Sequence, residues 1–150
     1  MKYLFCVLFI LETLPGILSS QEKTATWVIV KNTGDNIIQA DFSTVKVKEK
    51  SDIYVWGLQS VRQPLKIEGI REDIYKIKTY YLINPELNKY SILKVIYYGS
   101  SNRVIREFNY ADELKKQGAR YNYPILPGSE AEAIYKGTVK YLKESIIEKN

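Results

Sequence analysis

The chain has 150 residues, a formal net charge of +5, no histidine and one cysteine, Cys6. That composition rules out a Ser-His-Asp triad, a Cys-His pair and a histidine-ligated zinc, and it leaves no internal disulfide. Carboxylate, lysine and tyrosine chemistry stay open, but the balance favours a binding or structural protein that uses no cofactor and no metal. The length suits one domain with a single hydrophobic core.

Residues 1–20 read as a secretory signal. Lys2 supplies a short positive start, an apolar run follows from Tyr3 to Ile10, and Leu14, Ile17 and Leu18 extend it to the small pair Ser19-Ser20. The clean run is shorter than the ~20 residues a membrane span needs, so no stable anchor is expected after cleavage. Cys6 precedes most of the apolar stretch and follows the bulky Phe5, which does not suit lipid attachment. The expected product is exported, to the periplasm, the cell surface or the medium. Lys2 and Glu12 cancel, so the +5 charge survives removal of the signal. It favours anionic glycans or acidic surfaces as partners, and export argues against nucleic acid.

Residues 21–25 form a short polar linker, and a single domain is expected over 26–148. Trp27–Val30 reads as a strand, Asn32–Asn36 as a turn, Ile37–Val47 as an extended return and Lys48–Asp52 as a charged turn. Ile53–Leu58 is the next strand, followed by a longer loop with Pro64 and Gly69. Tyr75–Asn84, Lys89–Tyr98 and Arg103–Phe108 follow, separated by Pro85–Asn88 and Gly99–Asn102. Turns this short imply antiparallel hairpins. In Tyr75–Ile83 one parity carries Tyr75, Ile77, Thr79, Tyr81 and Ile83, and the other carries Lys76, Lys78, Tyr80 and Leu82. The mixed second face suits contact with a second subunit, as in a homodimer, or with another partner; an ordinary solvated face reads equally well. The thirteen tyrosines raise the same choice, since tyrosine is enriched at recognition surfaces and also fills sheets.

Asn109–Tyr123 reads as irregular and polar. Ser129-Glu-Ala-Glu132 then has capping-box spacing before an amphipathic helix. Ala131, Ile134, Tyr135, Thr138, Val139, Tyr141, Leu142 and Ile146 share one arc, while Glu132, Lys136, Lys140, Lys143, Glu144 and Glu148 share the other. The expected fold is α+β, an antiparallel sheet of about six strands with one C-terminal amphipathic helix packed across one face. Lys136, Lys140 and Lys143 make a basic stripe that Lys115, Lys116 and Arg120 would extend; a solvated helix face is the alternative. The acidic pairs Glu72-Asp73 and Asp112-Glu113 read as solvated loop charges and not as catalytic carboxylates.

The order of these pieces resembles the bacterial surface-adhesin protein E family. The matching residues are Trp27, Asp41-Phe-Ser43, Val55-Trp-Gly-Leu58, Tyr75-Lys-Ile-Lys-Thr79, Asn88-Lys-Tyr-Ser-Ile-Leu93 with Tyr97-Tyr98, and Pro127-Gly-Ser129 with Glu132-Ala-Ile-Tyr135. The resemblance implies an antiparallel sheet crossed by the C-terminal helix, and adhesion to host extracellular-matrix components. Two departures stand out. Pro85 and Val139 occupy the positions that match the family's cysteine pair, and the lipid-attachment cysteine is missing. The expected function is an exported, non-enzymatic binding protein contacting a matrix protein or anionic glycan through Tyr80, Tyr98, Lys136, Lys140 and Lys143. A periplasmic envelope module without a host partner is the runner-up.

Overall fold

The computed structural model describes residues 25–48, 51–117 and 120–147. The signal reading of residues 1–20 and nearly all of the linker lie outside this range. Six strands form an antiparallel meander in chain order: β1 (Trp27–Asn32), β2 (Asn36–Lys48), β3 (Asp52–Leu65), β4 (Ile74–Asn84), β5 (Lys89–Tyr98) and β6 (Val104–Asn109). A short helix, α1 (Ala111–Gln117), follows. A two-residue strand, β7 (Tyr123–Pro124), then pairs with the start of β5, and α2 (Glu130–Ile147) completes the fold. The α+β class expected from the sequence is the class observed.

The turns form because their residues accept left-handed backbone. Gly34 turns β1 into β2 at φ 83°, where the Asn32 side chain accepts from the Gly34 amide at 2.9 Å. Asn88 (φ 50°) and Asn102 (φ 58°) close the β4–β5 and β5–β6 hairpins, a conformation that asparagine tolerates better than most residues.

Two segments depart from the sequence reading. β3 continues past Leu58 through Pro64, and pairing shifts between Ser60 and Leu65. The missing proline N–H falls in that irregular stretch and costs no regular ladder bond. Within Asn109–Tyr123, residues Ala111–Gln117 are helical and not irregular. The Asn109 side chain accepts from the Ala111 amide at 3.1 Å, and Asp112 and Glu113 sit in the first turn, where negative charge suits the helix dipole. The two acidic residues are thus helix-start residues.

The core lies between one sheet face and α2. Ile38, Ala40 and Phe42 of β2, Ile53 and Val55 of β3, and Tyr81 and Ile83 of β4 meet Ile134 from the helix and Ile125 from the segment before it. Contact is close at Gly57, where a Cβ would lie 2.8 Å from Tyr81 Cε2 and 3.0 Å from Ile134 Cδ1. Along α2 only Ala131, Ile134 and Thr138 are fully buried. Tyr141 and Ile146, expected on the buried arc, are exposed at 37% and 62%. Tyr141 instead stacks on Phe42 with ring centroids 4.6 Å apart. Val139 is partly buried against the core.

The helix start follows the capping spacing with one change. The Ser129 hydroxyl accepts from the Glu132 amide at 3.1 Å, but the Glu132 carboxylate accepts from the Gly128 amide at 2.7 Å and not from that of Ser129. The hydrogen bond from Lys136, then that from Gly128, holds the Glu132 carboxyl below its ordinary value. Its contribution is therefore complete above the ordinary carboxylate range and is lost as pH falls through the lowered value. Ser129→Ala is expected to cost about 1 kcal/mol, seen as a melting point lower by about 4 °C. An unchanged melting point would show that the cap contributes nothing.

Candidate functional site

The sheet has a second face, opposite α2, and its composition follows from parity and register. Side chains directly across a strand pair share a face. The register Trp27↔Asp41, Asp41↔Trp56, Trp56↔Tyr80 and Tyr80↔Lys94 puts Trp27, Asp41, Trp56, Tyr80 and Lys94 in one row. The next row holds Ile29, Gln39, Leu58, Lys78, Ile96 and Glu107, and Tyr98 lies beyond it, across from Lys76. On the other side of the first row, Tyr54 stands between Lys46 and Leu82. Leu93 is the extra residue of a bulge in β5; it keeps Lys94 opposite Tyr80.

Trp27, Tyr54, Trp56, Lys78 and Tyr80 are all half-exposed and form a ladder. Tyr54 and Tyr80 lie 6.2 Å apart by ring centroid, and Tyr80 stacks on Trp56 at 4.7 Å. The Lys78 ammonium then sits 4.7 Å from the Trp56 ring centre and 5.5 Å from that of Trp27. Rings stacked this closely across strands must stand up from the sheet. Their faces meet each other and the Lys78 ammonium group. Burial first, then Tyr54, pushes the Tyr80 phenol up, so it remains a hydrogen-bond donor at neutral pH. Burial also raises Tyr98, with Glu107 adding and Lys94 opposing.

Lysines surround the ladder. Lys46 and Lys48 flank Tyr54, the latter with its ammonium 5.8 Å from the ring, and Lys76 donates to the Asn102 side chain at 2.7 Å. Lys94 pairs with Glu107 at 2.7 Å. Two acidic residues of the same face are buried and hydrogen-bonded. Asp41, 2% exposed, accepts from Thr26 N, Ser43 N and Oγ, and Thr44 Oγ1 within the β2 bulge. Asp52, 1% exposed, accepts from Asn84 Nδ2 at 2.9 Å and from the Tyr121 hydroxyl, and pairs with Arg120 at 2.8 Å. Lys46, Lys48, Lys76, Lys78 and Lys94 outnumber Asp41, Asp52 and Glu107, and the face is net positive.

The expected site residues therefore divide. Tyr80 and Tyr98 share the second face, whereas Lys136 and Lys140 lie on α2, against the first. Lys136 pairs with Glu132 at 2.7 Å and Lys140 with Glu144 at 3.9 Å, so much of the stripe's charge is balanced within the helix. Lys143 is exposed on the same helix. Arg120 binds Asp52 and the Tyr54 hydroxyl and so belongs to the sheet's end, not to an extension of the stripe. Lys115 and Lys116 fall on α1, and their side chains lie outside the described ones. Lys136 and Lys140 also line a cleft of about 860 Å³ between α2 and β1, together with Val28, Ile29, Gly137 and Tyr141.

Trp27, Tyr54, Trp56 and Lys78 were not singled out as site residues by the sequence reading. Their signal was the shared parity of Tyr54 with Trp56 and of Lys78 with Tyr80, in strands that pair. Glu72 is exposed and Asp73 pairs with Lys66, as solvated charges do. Among the described residues no group of three or more His, Cys, Asp or Glu is placed to hold a metal ion, and no helix is long and apolar enough to cross a membrane. No family model, no curated protein and no solved structure matches the chain.

Proposed function

We propose that this is an exported, non-enzymatic binding protein of the adhesin type, with an anionic glycan of the extracellular matrix as its partner on the second sheet face. The observation that carries this reading is the aromatic ladder with its lysines, Lys46, Lys48, Lys76 and Lys78, on a face where Asp41, Asp52 and Glu107 already have partners. Ring edges and phenols offer hydrogen bonds and apolar contact to sugar rings, and the ammonium groups offer charge to sulfates or carboxylates. The meander crossed by a C-terminal helix agrees with the arrangement that the family resemblance implies. A fold hosts many functions, however, so the site carries the argument.

Heparin titration of the mature protein tests it. Binding is expected, weakening between about 0.05 and 0.3 M salt. Replacing Lys76 and Lys78 together with glutamine is expected to weaken it about tenfold, at about 0.7 kcal/mol per exposed charge. Replacing Lys136, Lys140 and Lys143 is expected to change it less, because Glu132 and Glu144 already balance two of them. A larger loss from the helix variant would move the site to α2. No heparin binding at all would favour a periplasmic envelope module.

A further inference from the structure

β1 is one of the two outer strands of the sheet, and its outward backbone groups can be assigned from register. Phe42 N donates to Thr26 O at 3.2 Å, and the same register continues as Trp27↔Asp41, Val28↔Ala40 and Ile29↔Gln39. In an antiparallel pair, hydrogen-bonded and non-hydrogen-bonded residue pairs alternate. Thr26 and Val28 therefore turn their N–H and C=O groups towards β2, and Trp27 and Ile29 turn theirs to the open side. No hydrogen bond from either residue to another part of the described chain occupies those groups.

The opposite edge, β6, is guarded by the charges of Arg106 and Glu107, a common protection against strand pairing. The centre of β1, Val28-Ile29-Val30, has no such guard, and Val28 and Ile29 are 40% and 55% exposed.

Beside this edge lies the 860 Å³ cleft. Its helical wall is low at Ala133 and Gly137, one turn apart, and Tyr141 closes the next turn. At Gly137 the helix comes so near β1 that a Cβ would fall 2.4 Å from Val30 Cγ1. Val30 fills the space over Gly137, and the cleft runs beside it along the outer edge of β1. Its lining includes Lys31, Lys136 and Lys140 against Glu132 and Glu144, and Lys140 and Glu144 approach only to 3.9 Å. The lining is net positive, on a chain of charge +5.

We infer that the β1–α2 cleft binds an extended, acidic polypeptide segment of a partner protein by strand addition. The unpaired amides and carbonyls of Trp27 and Ile29 set the main-chain pairing. Alternate apolar side chains of the segment enter the cleft beside Val28, Ala133 and Tyr141, and a carboxylate meets Lys140 in place of Glu144. Main-chain pairing gives affinity in this mode, and alternate side chains give selectivity. The site adjoins the glycan face at Trp27 and Ile29, whose side chains lie in the rows of that face while their backbone groups point outward along the edge.

The test is selection of a random-peptide display library on the mature protein, with heparin present to occupy the other face. Enriched peptides are expected to alternate apolar residues and to carry Asp or Glu. Ile29→Pro deletes one outward amide at an edge position that tolerates proline, and is expected to weaken their binding about tenfold, with circular dichroism confirming the fold. N-methylation of alternate peptide residues is expected to abolish binding in one phase and spare it in the other, a readout that does not depend on the protein's folding. Lys140→Glu should weaken acidic peptides, and Lys76→Gln with Lys78→Gln should not. The inference is overturned if no peptide is enriched, if the two N-methyl phases bind equally to each other, or if β1 is instead buried in a dimer that Ile29→Pro dissociates.

Discussion

Ile134→Asp is expected to leave the protein largely unfolded at 25 °C. Ile134 is fully buried where α2 meets β3 and β4, against Gly57 and beside Tyr81 and Val55. The core cluster around it contains only apolar and tyrosine side chains, so a carboxylate there has no cation to pair with. Burying an unpaired charge belongs to the few mechanisms that cost more than about 4 kcal/mol, comparable with the ~5–15 kcal/mol that holds a domain together. Urea denaturation followed by far-ultraviolet circular dichroism measures it. Ile134→Val should cost only about 1 kcal/mol by the same assay, because it removes one methyl group. Val139→Asp, at a partly buried position, should fall between the two. A change within about 0.5 kcal/mol for Ile134→Asp would mean that the helix does not dock on this face.

Asp52→Ala is expected to cost about 3 kcal/mol, the lower end for breaking a buried ion pair, since Arg120 is partly exposed and can rehydrate. Three donors lose their acceptor together: Asn84 Nδ2, the Tyr121 hydroxyl and the Arg120 guanidinium. Burial, then the bond to Asp52, pushes the Tyr121 phenol up, so it donates throughout the neutral range. The same cluster holds the chain after α1 on the sheet, where Ser91 Oγ donates to Arg120 O at 2.9 Å and accepts from Asn122 N at 3.0 Å. Faster hydrogen exchange at Asn122 and Tyr123 should accompany the loss. A stability change below about 1 kcal/mol, or unchanged exchange, would show that the segment is held by something else.

How much of this was legible before the fold was known differs by element. The hairpins were readable because their turn residues carry their own reason: Gly34, Asn88 and Asn102 accept positive φ, and the strands between them alternate or run apolar. α1 was not, because seven residues hold too little periodicity, and its only start signal is Asn109. Parity placed Lys78 and Tyr80 on one face. Finding Trp56 beside Tyr80 also required the β3–β4 register, which the long connection between those strands does not fix. The ion pairs that quiet Lys136 and Lys140 were visible as i, i+4 spacing to Glu132 and Glu144. The cleft beside β1 was not, since it depends on how closely Gly137 lets the helix approach Val30.

The central claim is that the face opposite the helix is the glycan-contact surface. Titrating isotope-labelled mature protein with a heparin oligosaccharide, and following backbone and indole N–H resonances, tests it most directly. The account predicts the largest shifts at Trp56, Lys78, Tyr80 and the Trp27 indole, fading with added salt, while Lys136, Lys140 and Lys143 move little. Shifts confined to α2, or none at any residue, would contradict it.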